Sequence, residues 1–256
     1  MIYFLLAAYN EAESIEPVLT SIKRAIGGNF VILLVDDGSV DGTSDQAEAI
    51  ARSLNINLKI IGHPRNLGLG VAIKTGFEWI DQNAAAEDIV VTMDCDDTHP
   101  PETVNGMIKK LDCVFSRAGG AGVVIASRFV KDGSCRGVSF ARSFISRAGS
   151  FFMSLFFYKS SVSDWTSGFR VYEAGVLKKA GIPSILREKG FSVQLEILFI
   201  LLAAGVVVDE YPLEMDYSLK KSSSKMRLFP LLIAYMKVMG RFLFAKIKSK
   251  CYNRIN

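Results

Sequence analysis

The sequence lacks the marks of a secreted, a dinucleotide-binding and a membrane-spanning protein. Its four cysteines show neither paired nor metal-type spacing, which fits a reducing cytosol. Neither a GxGxxG nor a GxxxxGK[ST] pattern occurs, so the usual dinucleotide and P-loop motifs are missing. The longest apolar run, residues 197–208, is shorter than the roughly 18 residues that a membrane span needs. No basic segment precedes the first apolar run, so we expect no signal peptide and a cytoplasmic location.

Acidic residues are also missing from the end of the chain, where none follows Asp216. The formal net charge of +4 hides an acidic excess in residues 1–127 and a basic excess in residues 128–256. Such an asymmetry suggests that the second half faces something anionic, such as phosphate groups, a membrane surface or nucleic acid. The alternative is a basic tail that only keeps the protein soluble.

What the sequence does contain is a regular alternation of apolar strands and amphipathic helices. With 256 residues, half of them apolar, the chain can build one large α/β domain or two small ones. Continuous apolar runs predict strands at residues 2–8, 30–35, 58–62 and 88–93, with helices between them. Such runs are typical of a parallel sheet covered on both faces. We therefore predict an α/β fold that binds ligands at the carboxyl edge of the sheet.

The fourth predicted strand ends in three carboxylates, Asp94, Asp96 and Asp97, and two prolines follow. Because alternate strand residues point the same way, Asp94 and Asp96 can aim at one point beyond the strand. Two carboxylates together with substrate phosphates are a typical site for Mg²⁺ or Mn²⁺. In the alternative interpretation, Asp96 or Thr98 only caps the following helix.

The second predicted strand ends in another acidic stretch, residues 36–43. Its position at the carboxyl end of a strand favours ligand binding by Asp36 and Asp37. Alternatively, both aspartates are turn or N-cap residues. The two histidines of the chain, His63 and His99, are interpreted as structural rather than catalytic.

Two stretches of the second half suggest contact with a membrane surface. Residues 140–158 have helical character and contain six phenylalanines among basic residues, which favours a helix in a membrane interface over a core helix. The last predicted helix, residues 228–248, has Lys237, Arg241 and Lys248 on one side at helical spacing. That side suits anionic lipid headgroups.

Several short motifs, in this order along the chain, resemble one family. They are AAYNE at 7–11, VDDGSVDGT at 35–43, NLGLG at 66–70, DCD at 94–96, HPPE at 99–102, SR at 127–128, SGFR at 167–170 and SK at 224–225. The set is similar to that of the GT-A-fold family 2 glycosyltransferases, and within them to dolichol-phosphate mannosyltransferase-like enzymes. The resemblance covers residues 2–226.

The resemblance implies inverting transfer of a hexose from a nucleotide-sugar, GDP-mannose or a UDP-sugar, to a polyprenyl phosphate. The reaction would use Mg²⁺ or Mn²⁺ at the cytoplasmic face of a membrane, with no nucleic-acid partner. Residues 1–226 would form a GT-A domain, a mostly parallel sheet flanked by helices, with a membrane-interface helix inserted at 140–159. Residues 227–256 would form a basic amphipathic helix.

The resemblance also implies roles for individual residues. Asp36 would contact the base, Tyr9 and Glu11 would contact the nucleoside, and Asp94 and Asp96 would hold the metal at the diphosphate. Arg128, implied as catalytic with the two metal-binding aspartates, would bind phosphate, as would Lys225. The implied substrate-binding residues are Ala7, Tyr9, Glu11, Leu34, Asp36, Asp94, Cys95, Asp96, Arg128, Lys220 and Lys225.

The chain departs from the family pattern at four places. Ala7 replaces a proline, Thr98 replaces a glutamine, and Asp97 replaces an apolar residue. In the late basic motif, residues 219–225, the usual arginine is missing. Lys220 or its neighbouring lysine could supply that charge but not the bidentate fork of an arginine. These departures leave the donor sugar open.

Other functions stay open at this point. A family 2 transferase acting on a saccharide would need a base to deprotonate a hydroxyl group, and Asp164 is the candidate. A phosphate acceptor is already anionic and needs no base. A sugar nucleotidyltransferase is disfavoured because no N-terminal glycine-rich loop with a basic residue occurs. A membrane-surface adaptor would not need aspartates at the strand ends.

Two charged residues lie in unusual surroundings. Glu196 falls in an otherwise apolar predicted helix, residues 192–204, where an unpaired carboxylate is costly. It is either ion-paired, with Arg170 or a lysine, or it points into the acceptor site. Arg170 itself is expected to brace its own SGFR loop.

Overall fold

The computed structural model describes residues 1–118, 122–137, 147, 149, 150, 153, 162–217 and 228–255. Most of the predicted helix at 140–158 lies outside the described residues, as do Lys220 and Lys225. The predictions for these stretches stay predictions.

The first half of the chain folds as four strand–helix repeats and a fifth strand, and its first four strands are those that the apolar runs predicted. The elements are β1 (Ile2–Ala8), α1 (Ala12–Ala25), β2 (Phe30–Asp36), α2 (Thr43–Ser53), β3 (Asn57–Gly62), α3 (Leu69–Asn83), β4 (Ile89–Asp94), α4 (Thr103–Ala118) and β5 (Gly122–Ser127). All seven residues of β2 are buried, which is why its sequence shows no alternation of apolar and polar residues.

The second half is less regular. Its elements are β6 (Ser134–Arg136), β7 (Arg170–Glu173), α5 (Ala174–Lys179), α6 (Ile182–Ile185), α7 (Val193–Ala203), β8 (Val207–Pro212), β9 (Glu214–Asp216) and α8 (Leu228–Ile255). The sequence prediction missed β7 because this strand has only 4 residues and begins with the charged Arg170.

The central sheet has the strand order β3-β2-β1-β4-β7-β5-β8. Its neighbouring strands are parallel except for β7, which is antiparallel to β4 and to β5. The register pairs Ala8 with Asp36 and Ala7 with Asp94, so that β1, β2 and β4 end side by side. The polar residues that follow these three strands therefore meet at one edge. A second, two-stranded sheet pairs β6 with β9.

Alternate residues of the strands build two core layers on opposite faces of the sheet. In β1, Phe4 and Leu6 belong to the layer that contains the apolar sides of α1 and α4. Tyr3 and Leu5 belong to the layer that contains those of α3 and α7. Both layers stabilise the sheet edge at which the polar residues meet.

The C-terminal helix α8 packs against the domain with one of its sides. Val238 and Met239 are buried in a third apolar cluster together with Leu195 and Leu198 of α7. Another side of α8 has exposed apolar side chains, which are Phe229, Leu232, Ile233 and Met236. Within the described ranges, no helix is both long enough and apolar enough to cross a membrane.

Candidate active site

A cavity of about 430 Å³ lies at the carboxyl edge of the sheet, between the strand-end loops and α8. Seven predicted site residues border it: Ala7, Tyr9, Glu11, Asp94, Cys95, Asp96 and Arg128. Leu34 does not, because it is fully buried in the core layer shared with α1 and α4. The side chain of Leu34 is thus part of the core, and the predicted contact between Leu34 and substrate stays a prediction.

The loops after β1 and β2 are tied together by hydrogen bonds. The backbone N–H of Asn10 donates to Ser39 Oγ (2.9 Å), and that of Val40 donates to Asn10 Oδ1 (2.9 Å). The backbone N–H of Glu11 donates to Thr43 Oγ1 (2.9 Å). The first two sequence motifs are consequently joined to each other, and Tyr9, Glu11 and Asp37 from them border the cavity.

Asp36 organises its own turn. Its Oδ1 accepts the backbone N–H of Ser39 (2.8 Å), and its Oδ2 accepts the hydroxyl of Ser44. The side chain is only 6% exposed and does not border the cavity. Asp36 is thus a turn residue, as in the alternative interpretation. Contact between Asp36 and a base stays a prediction.

Asp37 holds the loop after β3 against β2. Its Oδ1 accepts the N–H of Leu67 (2.9 Å), and its Oδ2 accepts that of Gly68 (2.7 Å). His63 contributes to the same network, with Nδ1 at 2.7 Å from Asp37 Oδ1 and Nε2 at 3.0 Å from Thr75 Oγ1. Both ring nitrogens of His63 are therefore engaged, which supports its structural interpretation.

The NLGLG motif packs directly against the backbone of residues 187–190, the segment that precedes α7. The N–H of Gly70 donates to the carbonyl oxygen of Lys189 (2.8 Å). A Cβ atom on Gly68 or on Gly70 would collide with the carbonyl oxygens of Lys189 or Glu188. Only glycine allows this close approach of two backbones, which explains the glycines of the motif.

Glu196 anchors the same segment from α7. Its Oε2 accepts the backbone N–H groups of Arg187 (2.9 Å) and Glu188 (2.8 Å). Arg241 of α8 lies 3.2 Å from Glu196 Oε1 and 2.5 Å from Glu188 Oε1. Glu196 is therefore ion-paired, with Arg241 rather than with Arg170 or a lysine. The expectation that Arg241 faces lipid headgroups is wrong, because these two carboxylates bind it.

Asp94 ends β4 with its side chain 42% exposed at the cavity. Its backbone N–H donates to Nδ1 of the buried His99 (3.0 Å). A neutral His99 consequently has its ring proton on Nε2, which lies 3.9 Å from Asp94 Oδ2. The ring stacks on Phe169 with 4.9 Å between centroids. His99 thus fixes the end of β4 and the position of Asp94.

Asp96 is 7% exposed, and its Oδ1 accepts the N–H (3.3 Å) and the hydroxyl (2.7 Å) of Thr98. These bonds form a local turn two residues after β4. The first turn of α4 is closed separately, by the N–H of Thr103 donating to the carbonyl of Pro100 (3.1 Å). Asp96 therefore borders the cavity from a turn of its own.

The donor set at this point fits a divalent metal that also binds substrate phosphates. Asp94 and Asp96 supply hard carboxylate oxygens to one cavity. Among the described residues there is no group of three or more His, Cys, Asp or Glu side chains that could hold a metal. Mg²⁺ typically uses one or two carboxylates and takes its other ligands from phosphates and water, so two are sufficient.

Arg128 forms a bidentate ion pair with Asp164, with Nε and Nη2 each 2.7 Å from a carboxylate oxygen. Nη2 also donates to Thr166 Oγ1 (2.9 Å). Burial alone would raise the pKa of Asp164, but the charge and hydrogen bonds of Arg128 outweigh burial and lower that pKa below its usual value. A fully buried carboxylate held in this way is a poor proton acceptor. Asp164 also does not border the cavity, and both findings disfavour it as the base that a saccharide acceptor would require.

Two further buried charges brace the loop of residues 163–170. Glu210 of β8 accepts the backbone N–H groups of Ser163 (2.8 Å) and Asp164 (2.7 Å). Arg170 Nε donates to the carbonyl of Ser167 (2.8 Å), as expected for a residue that braces its own loop. Asp164, the partner of Arg128, is thus held on a loop that buried charges brace.

The far end of the cavity is apolar and belongs to α8. Leu231, Leu232 and Tyr235 border it, and Leu232 is also 40% exposed, so the cavity opens onto the exposed side of the helix. Burial raises the pKa of Tyr235 to about 12. Its hydroxyl therefore stays protonated at neutral pH and can donate a hydrogen bond.

Sequence reasoning missed several residues of the cavity wall, among them Ser167, Gln194 and Tyr235. A signal existed for Gln194, a neutral polar residue inside the apolar helix α7. No such signal existed for Tyr235, because its place at the cavity depends on how α8 packs against α7.

Comparisons with known proteins identify the family of the chain. Residues 3–181 match the family described as Glycosyl transferase family 2. A polyprenol monophosphomannose synthase of Mycolicibacterium smegmatis is 28% identical over 242 residues, covering 93% of this chain and 87% of that protein. An undecaprenyl-phosphate mannosyltransferase of Micrococcus luteus is 30% identical over 209 residues, covering 82% of this chain and 81% of that protein.

Solved structures with the same fold support the GT-A architecture. A glucosyl-3-phosphoglycerate synthase from Mycobacterium tuberculosis, in complex with Mn²⁺, UDP and glucosyl-3-phosphoglycerate, aligns with a TM-score of 0.61 at 19% identity. The alignment covers 96% of this chain and 79% of that one. The predicted α/β fold is thereby confirmed. From the match over most of its length, the chain belongs to the family 2 glycosyltransferases.

Proposed function

We propose that this glycosyltransferase moves a hexose from a nucleotide-sugar to the phosphate of a polyprenyl phosphate at a membrane surface. The observation that carries the proposal is one continuous cavity that joins Asp94 and Asp96 to the exposed apolar side of α8. Its carboxylate end suits a metal-bound diphosphate, and its apolar end suits a lipid. The names of the two mannosyl-transferring relatives point in the same direction.

The donor binds at the end formed by the loops after β1, β2 and β3. Tyr9 and Glu11 border this end and contact the nucleoside. Asp36, at the end of the neighbouring strand β2, contacts the base. GDP-mannose and a UDP-sugar are the two donors to test, because the altered basic motif at 219–225 leaves the nucleotide open.

Asp94 and Asp96 hold Mg²⁺ or Mn²⁺ at the donor diphosphate in this proposal. When bound, such an ion neutralises the charge that grows on the leaving nucleoside diphosphate. The glucosyl-3-phosphoglycerate synthase structures contain Mn²⁺ or Mg²⁺ with UDP, which supports a divalent ion in this fold. His99 keeps Asp94 in position through the backbone of β4.

We take the acceptor to be a phosphate because Arg128 offers positive charge at the cavity and Asp164, the candidate base, is engaged by it. Arg128 borders the cavity, and its bonds to Asp164 and Thr166 use only part of its five N–H donors. A phosphate monoester is already anionic at neutral pH and attacks without a general base. The engagement of Asp164 with Arg128 thus favours a phosphate acceptor over a hydroxyl group.

The membrane lies on the exposed side of α8, at the cytoplasmic face. Phe229 is 75% exposed and Met236 is 56% exposed, and Lys237 beside them is exposed as well. Apolar side chains flanked by bases suit the boundary between headgroups and acyl chains. The basic excess of residues 128–256 supports an anionic surface as the partner.

The test offers purified protein a labelled donor and three acceptors that differ in one feature each. They are a short-chain polyprenyl phosphate, the matching polyprenol without phosphate, and a soluble saccharide. We expect label only on the polyprenyl phosphate, with either GDP-mannose or UDP-glucose as donor. Label on the polyprenol or the saccharide would contradict the proposal and favour a hydroxyl acceptor.

A further inference from the structure

The cavity wall contains neutral polar groups to which the proposed function assigns no role. Gln194 Oε1 and Ser167 Oγ are buried, and neither has a hydrogen-bond partner within the described part of the chain. Both residues border the cavity, and they are 6% and 5% exposed. A buried polar group without a partner costs free energy, so two of them in one cavity wall indicate a ligand.

Gly168 connects these groups to Asp94. A Cβ atom at Gly168 would lie 2.8 Å from Gln194 Nε2 and 3.6 Å from Asp94 Oδ1. The amide and the carboxylate therefore border the same space, which a residue without a side chain leaves open. The peptide itself is fixed, because the hydroxyl of Thr92 donates to the carbonyl of Gly168 (2.7 Å).

The chemistry of the two groups selects the kind of ligand. An amide and a hydroxyl each donate and accept hydrogen bonds without bearing charge, which matches the hydroxyl groups of a sugar. A phosphate is bound more strongly by cations, and Arg128 offers a cation in the same cavity. Ser167 and Gln194 are thus suited to the uncharged part of a substrate.

We propose that Ser167 and Gln194 bind hydroxyl groups of the hexose that is transferred. The inference rests on the proposed function, in which Asp94 stands at the donor diphosphate to which that hexose is attached. It assigns Gln194, at the first turn of α7, a part in selecting the sugar. The nucleoside is left to the residues at the other end of the cavity.

The test compares donors with and without their sugar by titration calorimetry in the presence of Mn²⁺. The probes are GDP with GDP-mannose and UDP with UDP-glucose, and the pair that the wild type binds is used for the variants. We expect Gln194→Leu and Ser167→Ala to weaken binding of the nucleotide-sugar by about fivefold to tenfold. Binding of the nucleoside diphosphate is expected to change less than twofold.

Two controls separate sugar binding from folding. Gln46→Leu makes the same chemical change in α2, away from the cavity, and should alter neither affinity. Gln194→Leu removes a buried polar atom that has no partner, so its melting temperature should not fall. A residue with a merely structural role would show the opposite result, a lower melting temperature with normal sugar affinity.

Equal losses of affinity for the diphosphate and the nucleotide-sugar would overturn the inference, and so would no loss for either. A wild-type protein that binds neither nucleotide-sugar would instead refute the proposed function on which the inference rests. The two failures are therefore distinguishable by the wild-type titration alone.

Discussion

At the scale of single residues, the site depends on two carboxylates in opposite situations. Asp94 is 42% exposed at the cavity, whereas Asp164 is fully buried. Asp94 is positioned through its backbone by His99, which leaves the carboxylate turned towards the cavity. Asp164 instead uses both oxygens on Arg128 and on its own loop. Asp94 therefore faces the cavity, whereas Asp164 is held within its own loop.

Replacing Asp94 separates activity from stability. We expect Asp94→Asn to reduce kcat/KM by roughly 100-fold or more, since a metal site contributes several kcal/mol to charge stabilisation. The melting temperature should hardly change, because the carboxylate is half-exposed. Steady-state kinetics over a Mg²⁺ titration measures the effect, with Asp97→Asn as the matched control. Near-normal turnover of Asp94→Asn at low Mg²⁺ would contradict the metal assignment.

The Arg128–Asp164 pair predicts a pH-dependent contribution to stability. The folded-state pKa of Asp164 is lowered, so its contribution is fully present above the unfolded value of about 4 and is lost as the pH falls towards the folded value. Asp164→Asn should lower the free energy of unfolding by about 3 kcal/mol at pH 7, because it leaves Arg128 without its buried partner.

Urea unfolding at pH 7 and at pH 3 measures this contribution. The difference between wild type and Asp164→Asn should be smaller at pH 3 than at pH 7. The exposed Asp45→Asn serves as control and should show little difference at either pH. A difference that stays constant between the two pH values would show that Asp164 does not stabilise the fold through its charge.

At the scale of elements, α8 is connected to the predicted donor end of the cavity. Arg241 of α8 binds Glu188 and Glu196, and Glu196 holds the backbone of residues 187–188. The adjacent carbonyl of Lys189 accepts the N–H of Gly70 at the start of α3. A shift of α8 would therefore move residues 187–190 and, through them, the loop at Leu67 and Gly68. Asp37 binds the same loop from β2.

Removing Arg241 should weaken both the fold and donor binding. Arg241→Met leaves Glu196, which is 3% exposed, without its cation, and we expect a loss of about 2 kcal/mol in the free energy of unfolding. The donor KM should rise several-fold because the segment at 187–190 loosens against α3. Denaturant titration and donor kinetics measure the two effects.

Lys237→Met on the same helix is the control, since this lysine is exposed. It should leave both stability and donor KM unchanged. An Arg241→Met variant with normal stability would show that the ion pairs seen in the structure do not hold α8 in place.

The same elements show what sequence could and could not predict. The strand ends with Asp36 and Asp94 were predictable, because continuous apolar runs mark parallel strands and ligands collect at their carboxyl edge. The partners of Glu196 and Asp164 were not, since Arg241 and Arg128 are distant in sequence and meet only through packing. For Leu34, the motif did not show that the side chain faces the core.

At the scale of the whole molecule, α8 presents an apolar surface beside the cavity. The surface consists of Phe229, Leu232, Ile233 and Met236, all on α8. Deleting α8 would not isolate this surface, since Val238 and Met239 belong to the core and Tyr235 borders the cavity. Point substitutions on the exposed side therefore test membrane contact better than truncation.

Substituting the exposed apolar side chains should separate membrane binding from chemistry. We expect Phe229→Ser combined with Ile233→Ser to reduce binding to vesicles containing anionic lipids by tenfold or more, in line with about 1.5 kcal/mol or more per buried large side chain. Activity on a short, water-soluble prenyl phosphate should stay near normal. Vesicle co-sedimentation and the soluble assay measure the two properties, and equal losses in both would place these residues in the fold or site.

The most direct test of the central claim is the identity of the product formed on vesicles. Purified protein, Mg²⁺ and sugar-labelled donor are incubated with vesicles that contain a long-chain polyprenyl phosphate, and the extracted lipid is analysed by mass spectrometry. The account predicts one hexose joined to the polyprenyl phosphate by the wild type, and almost none by Asp94→Asn. Label that appears on a saccharide while the lipid phosphate stays unmodified would contradict it.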